Sequence, residues 1–169
     1  MKAALAALTL CILASTPALA EWRVVDGVAV VHTTETNANV DSLVLSCGDP
    51  VSLELYTTGG PVRPHGFTGE ADYFYEADRV VAQIDGNVVP LVALGAGHAV
   101  ILDAQDEDGD IGRLQLDFID MLQRGEILTL GFDVTPQNDP VTGSRYETYA
   151  RFSLTGSSAV LSVVFSACR

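Results

Sequence analysis

The sequence predicts a mostly β protein, a sandwich-like antiparallel fold with two short helices. Three observations carry that prediction: Asp-Gly pairs set between β-branched runs, apolar residues that alternate with polar ones through much of the chain, and only two stretches where the apolar spacing changes to the helical period.

The first twenty residues, MKAALAALTLCILASTPALA, place Lys2 before an apolar run and end on Ala18-Leu19-Ala20, the small-x-small pattern of a cleaved secretory signal. That run falls short of the about 20 apolar residues that span a bilayer, and no later stretch is both long and uncharged enough, so no membrane insertion is expected. Cys11 lies inside the run without the small residues of a lipoprotein box. Cleavage after Ala20 leaves Glu21 to Arg169 as a single exported domain, periplasmic or secreted.

In the mature region, Trp22-Arg23-Val24-Val25 and Val28-Ala29-Val30-Val31 flank Asp26-Gly27. Arg79 to Ile84 and Asn87-Val88-Val89 flank Asp85-Gly86 in the same way. A type I′ turn needs positive φ at both central positions, which Asp-Gly supplies, so each pair reads as a tight hairpin. Further strands are expected at Leu43 to Cys47, Val51 to Thr57, His98 to Asp103, Ile127 to Thr135 and Arg145 to Leu154. Pro90 should end its strand or place it at an edge, because it donates no ladder hydrogen bond. Leu116 to Arg124 turns helical, with Gly125 as the stop. Ser157 to Cys168 follows Gly156 with Val160, Leu161, Val164 and Phe165 at amphipathic spacing and a serine available as cap.

Nine basic residues, one of them Lys2 in the signal, stand against 22 acidic ones, which leaves the mature chain at −14. Such a field repels nucleic acid and anionic lipid, so neither is an expected partner. With Cys11 removed, Cys47 and Cys168 are an even pair in an oxidising compartment, and the expectation is one disulfide closing a long loop. Metal-binding thiolates or a redox pair would be the alternatives, but neither cysteine sits in CxxC or beside a histidine.

Chemistry is sparse. The acidic stretch Asp103 to Gly112, DAQDEDGDIG, resembles a calcium loop if Gly109 takes its sixth position, with Asp106, Asp108 and Asp110 as candidate ligands. Ala104 and Gln115 then occupy the first and twelfth positions, where strong ligands belong, so a solvated acidic turn is the plainer reading. Leu94-Gly95-Ala96-Gly97-His98 begins like a dinucleotide loop but carries Val100 at the third glycine position and reads as a turn. His32, His65 and His98 lack metal-binding spacing. Asp117 and Asp120 could share one helix face, as paired carboxylates do in some hydrolases, or simply solvate it. No cofactor is implied. The segment Gly59 to Glu76 gathers Arg63, His65, Phe67, Tyr73, Phe74 and Tyr75, residue types that anchor interfaces, on a connection longer than most.

The order of landmarks is similar to that of a known group. A first cysteine closes Leu43-Val44-Leu45-Ser46-Cys47, and Ile84-Asp85-Gly86 follows. Next come the helix Asp117 to Leu122 before Gly125, the strand Leu128-Thr129-Leu130-Gly131-Phe132, and Phe152-Ser153-Leu154-Thr155-Gly156 leading into a helix with the second cysteine. This resembles small exported bacterial proteins of the type VI secretion accessory TagO family and, more loosely, the invasion-associated locus B proteins. The resemblance implies a periplasmic or secreted β-rich domain without cofactor and carries over no catalytic residue. The function expected is non-enzymatic binding of an envelope or secretion-system component. Binding of a small ligand or weak binding of Ca²⁺ stands second, and hydrolysis of an envelope polymer third.

Overall fold

Asp26 and Asp85 have φ of 49° and 48°, and Gly27 and Gly86 have φ of 85° and 90°. Both Asp-Gly pairs therefore turn the chain with the positive φ angles that a tight hairpin demands. In the computed structural model, which describes residues 21–48, 51–66, 80–105, 111–112, 116–134 and 146–166, they join β1 (Arg23–Val25) to β2 (Val28–His32) and β6 (Val80–Ile84) to β7 (Asn87–Ala96). The remaining strands are β3 (Glu35–Thr36), β4 (Val40–Ser46), β5 (Ser52–Thr57), β8 (Ala99–Gln105), β9 (Ile111–Gly112), β10 (Ile127–Val134) and β11 (Tyr146–Ser153). The helices are α1 (Leu116–Arg124) and α2 (Ser157–Ser166).

The expected mostly antiparallel β protein with two helices is what the chain forms. Among the described residues its strands belong to one curled sheet of eleven, in the order β1-β2-β4-β5-β8-β7-β6-β10-β11-β3, with β9 beside β8. Curling follows from connectivity. The chain leaves β2 and within three residues enters β3, which pairs with β11 near the far end of that order. Thr34 N donates to Arg151 O at 2.8 Å, and the Trp22 indole Nε1 donates to Ser153 O at 2.8 Å, so the two ends of the sheet are brought together.

The concave face holds the core. Period-two alternation sends Ala29, Val31, Leu43, Leu45, Leu53, Leu55, Val100 and Leu102 inward from one half, and Ala82, Ile84, Leu128, Leu130, Phe132, Ala150 and Phe152 from the other; all are buried. Each large apolar side chain withdrawn this way stabilises the fold by about 1.5–3 kcal/mol relative to exposure. Phe118, Ile119 and Leu122 of α1 and Leu161 and Val164 of α2 close one end.

Two local expectations are refined by the structure. Pro90 does not end β7, but it lies where the strand is locally an edge: it opposes Val81 of β6, while the ladder to β8 begins only one residue later at Leu91 opposite Ala104. Counting from the turn, residue 90 is a non-bonded position toward β6, so the missing N–H costs no ladder bond. Of the serines that could cap α2, Ser157 points its hydroxyl at the other helix. It is fully buried, and its Oγ donates to Leu122 O at 2.7 Å, which ties the start of α2 to the last turn of α1.

Gly125 follows α1, as expected of a helix stop, but its reason is closeness. A Cβ there would meet Ile84 Cγ2 at 2.5 Å, Met121 O at 2.9 Å and Asp85 Oδ2 at 3.0 Å. The 85–86 hairpin and the end of α1 therefore touch at a point that admits no side chain. Asp85 uses that approach: its carboxylate accepts from Glu126 N at 2.9 Å and Ile127 N at 3.3 Å, leading the chain into β10.

Candidate functional site

Strand direction divides the molecule. One end carries the 26–27 and 85–86 turns, both helices and Cys47; the other carries residues 33–39, residues 57–66 and the turn at Gly97-His98 between β7 and β8. Arg63 and His65, two of the predicted binding residues, lie at the second end.

Asn39 builds this end. It is 8% exposed, and its side-chain Nδ2 donates to Gly59 O at 2.9 Å and to Pro61 O at 3.0 Å, while its Oδ1 accepts from Arg63 N at 3.0 Å. Its backbone adds Asn39 N to Arg63 O at 3.1 Å and receives Thr58 N at 2.9 Å. One amide side chain thus substitutes for a strand partner along a stretch where Gly and Pro forbid a regular ladder. Asn37 continues the staple: its carbonyl accepts from His65 N at 3.0 Å, and its Oδ1 accepts from Tyr149 N at 2.7 Å. A bridge between Ala38 and Pro64 lies between these contacts.

The result is a loop with a fixed backbone that presents a half-buried Arg63 and an exposed His65. Thr57 N donates to His98 O at 2.9 Å, so the loop starts beside a second exposed histidine. His32, the last residue of β2, opposes Ser42, and its Nδ1 lies 3.5 Å from Asp41 Oδ2. All three histidines stand at one end of the sheet, a placement invisible in their sequence spacing. Among the described residues, no group of three or more His, Cys, Asp or Glu is arranged to hold a metal ion. Phe67, Tyr73, Phe74 and Tyr75 lie outside the described residues, as do Asp106, Asp108, Asp110 and Cys168.

Beside the loop, β3 is fastened to β11 by charge. Tyr149 Oη donates to Glu35 Oε1 at 2.8 Å, Arg151 Nη1 donates to Glu35 Oε2 at 2.8 Å, and the guanidinium lies 5.4 Å from the Tyr149 ring centroid. The hydrogen bond from Tyr149, then that from Arg151, holds the Glu35 carboxyl below its ordinary range; the same bond raises the Tyr149 phenol.

At the helical end, Asp117 and Asp120 do share a face, and with Asp85, Asn87, Met121, Arg124 and Gly125 they line a shallow groove of about 330 Å³. Two of its carboxylates have structural partners. Asp85 accepts the backbone of β10, and Asp120 pairs with Arg124 at 3.1 Å one helical turn away. Cys47 directly follows β4 and packs partly buried against the core.

Sequence reasoning singled out the loop but missed Asn37 and Asn39, which position it. The available signal was two asparagines of equal parity in the polar run His32-Thr33-Thr34-Glu35-Thr36-Asn37-Ala38-Asn39, a composition that offers backbone-mimicking side chains where strand residues are lacking. Among the described residues, no helix is long and apolar enough to cross a membrane. No protein-family model, curated protein or solved structure matches the chain.

Proposed function

We propose that the mature chain is an exported, non-enzymatic domain that binds another envelope or secreted protein, with the 57–66 loop as its binding element. The observation that carries this reading is the Asn39 staple. A loop whose carbonyls and amides are satisfied by one buried side chain loses little conformational entropy when a partner arrives, and preorganisation of this kind is converted directly into affinity. Arg63 is of the type that dominates interface energies, and it sits on that fixed backbone.

Export and a Cys47–Cys168 disulfide belong to the same proposal. Their support is the signal-like start of the chain, the position of Cys47 beside the core, and the packing of α2, which ends two residues before Cys168, against β1 and β2. Kinship with the TagO-like and locus B-like exported proteins is also part of it. In its favour, landmarks distant in sequence meet in space: Ile84-Asp85-Gly86 closes on Gly125, and the turn at Gly156 delivers α2 onto α1.

The test is recovery of a cross-linked envelope partner by wild type, Arg63→Ala and His65→Ala, with thermal unfolding of each. Partner yield is expected to fall about tenfold in Arg63→Ala with unchanged melting temperature, the behaviour of an interface anchor. Full recovery by both variants would remove the loop from the interface.

A further inference from the structure

The outer face of the sheet carries a row of side chains that the core does not use. Strand register aligns Arg23, Val30, Val44, Glu54, Ile101 and Leu94 across β1, β2, β4, β5, β8 and β7. Their neighbours along each strand, Ala29, Leu45, Leu53 and Leu102 among them, are buried, so alternation turns the row outward. Ile101 is 40% exposed, Leu94 43%, and Tyr56 beside them 39%. From Val30 to Leu94 the row covers about 19 Å at a strand spacing of about 4.8 Å, the length of about 13 residues of helix.

One charge interrupts this apolar row. Glu54 Oε1 accepts from Ser52 Oγ at 3.0 Å and Oε2 from Tyr56 Oη at 3.1 Å, so both hydroxyls hold the carboxylate along β5. An apolar surface laid across the row would strip water from that carboxylate, a cost offset only if the occupant supplies a cation. Arg23, the cation on the row, is three strand spacings away, about 14 Å. Asp103 stands on the same face of β8, and the charge of −14 adds its long-range attraction for a basic partner. The same facts disfavour a second copy, which would bring carboxylate and net negative charge to the same place, and an anionic membrane.

We propose that this face receives a basic amphipathic segment of a partner protein, its apolar stripe along Val30, Val44, Ile101 and Leu94 and a Lys or Arg over Glu54. The inference rests on the reading of the chain as a binding domain and gives the partner's chemistry at a surface distinct from the Arg63 loop.

The experiment titrates ¹⁵N-labelled mature protein with a synthetic Leu/Lys amphipathic helix of about 14 residues, alongside the same peptide with Glu for Lys and a scrambled peptide of equal composition. Amide shifts should concentrate on residues 30, 44, 54, 94 and 101 with the Leu/Lys helix alone. Glu54→Gln should weaken binding about fivefold, as an ion pair partly shielded from water is lost, and Ile101→Ser about tenfold, both with unchanged melting temperature and no effect from Arg63→Ala. Shifts scattered over the acidic surface, equal binding of the Glu or scrambled peptide, no localised shift at millimolar peptide, or broadening of the row with protein concentration alone would each overturn the proposal. Because Arg63→Ala reports on the loop and Ile101→Ser on the row, failure of one reading leaves the other visible.

Discussion

At the scale of single residues, two buried polar side chains make opposite predictions. Asn39 satisfies two carbonyls and an amide of the loop, so Asn39→Ala leaves three backbone groups without partners in a buried place. Each such group costs about 1–3 kcal/mol when water cannot replace the bond, and partial rehydration at the loop surface should keep the total loss at about 3 kcal/mol by urea denaturation. Thr148 is the reverse. It is 1% exposed, faces inward from β11 opposite Phe132, and its Oγ1 has no hydrogen-bond partner. Removing the orphan hydroxyl while keeping the shape, as Thr148→Val does, should stabilise the protein by about 1 kcal/mol. A loss of stability in that variant would mean that the hydroxyl has an ordered partner after all.

At the scale of elements, a two-residue strand is held partly by charge, which makes its attachment dependent on pH. β3 has two residues: Thr36 Oγ1 donates to Tyr149 O at 2.7 Å, and a charged pin of Glu35, Tyr149 and Arg151 adds to it. Glu35 has a folded pKa below its unfolded value, so its contribution is present above the ordinary carboxylate range near 4.5 and is lost as pH falls through the depressed folded value. Tyr149 has a folded pKa above the ordinary 10.0; its contribution is present below that value and lost as pH rises through the raised one. The pin is thus complete between these limits. Glu35→Gln should flatten the acid limb of the stability profile by well under about 1 kcal/mol, since both partners of the Arg151 pair are about half exposed; an unchanged acid limb would show that the pin carries nothing. The visibility of elements in the sequence follows the same physics. Both Asp-Gly hairpins and both helices are legible because turn chemistry and apolar period are local signals. β3 is not, since two residues hold no period, and its partner lies more than a hundred residues away. Pro90 gives the local edge but not the strand that continues beyond it, because which flank has a ladder at that residue is a fact of tertiary register. The loop was recognisable from Arg63 and its length, whereas its support by Asn39 depends on the curl that brings β3 and β11 beside it.

At the scale of the molecule, the question is what keeps the C-terminal helix on the sheet. α2 has no charged residue; Leu161 and Val164 are its fully buried apolar contacts, Ser157 gives it one buried hydrogen bond, and Val163 on its outer side is 57% exposed. A ten-residue helix is marginal alone, since isolated helices shorter than about 12–15 residues do not persist in water. A chain with a formal net charge of −13 also repels itself throughout. A covalent tie from Cys168 to Cys47 at the end of β4 would fasten the helix to a central strand. On the chain-entropy model, closing a loop of about 100 residues or more removes about 4.7 kcal/mol of denatured-state freedom, with measured effects of about 2–5 kcal/mol. The unreduced mature protein should therefore take up no thiol alkylating reagent until denatured and reduced. The paired Cys47→Ser and Cys168→Ser variant should lose about 2–5 kcal/mol in urea denaturation, with amide exchange rising first in residues 157–166 while the core strands stay protected. Two alkylatable thiols in the unreduced protein would refute the tie outright. Equal exchange of α2 in wild type and the double variant would show that Leu161, Val164 and Ser157 suffice to hold it.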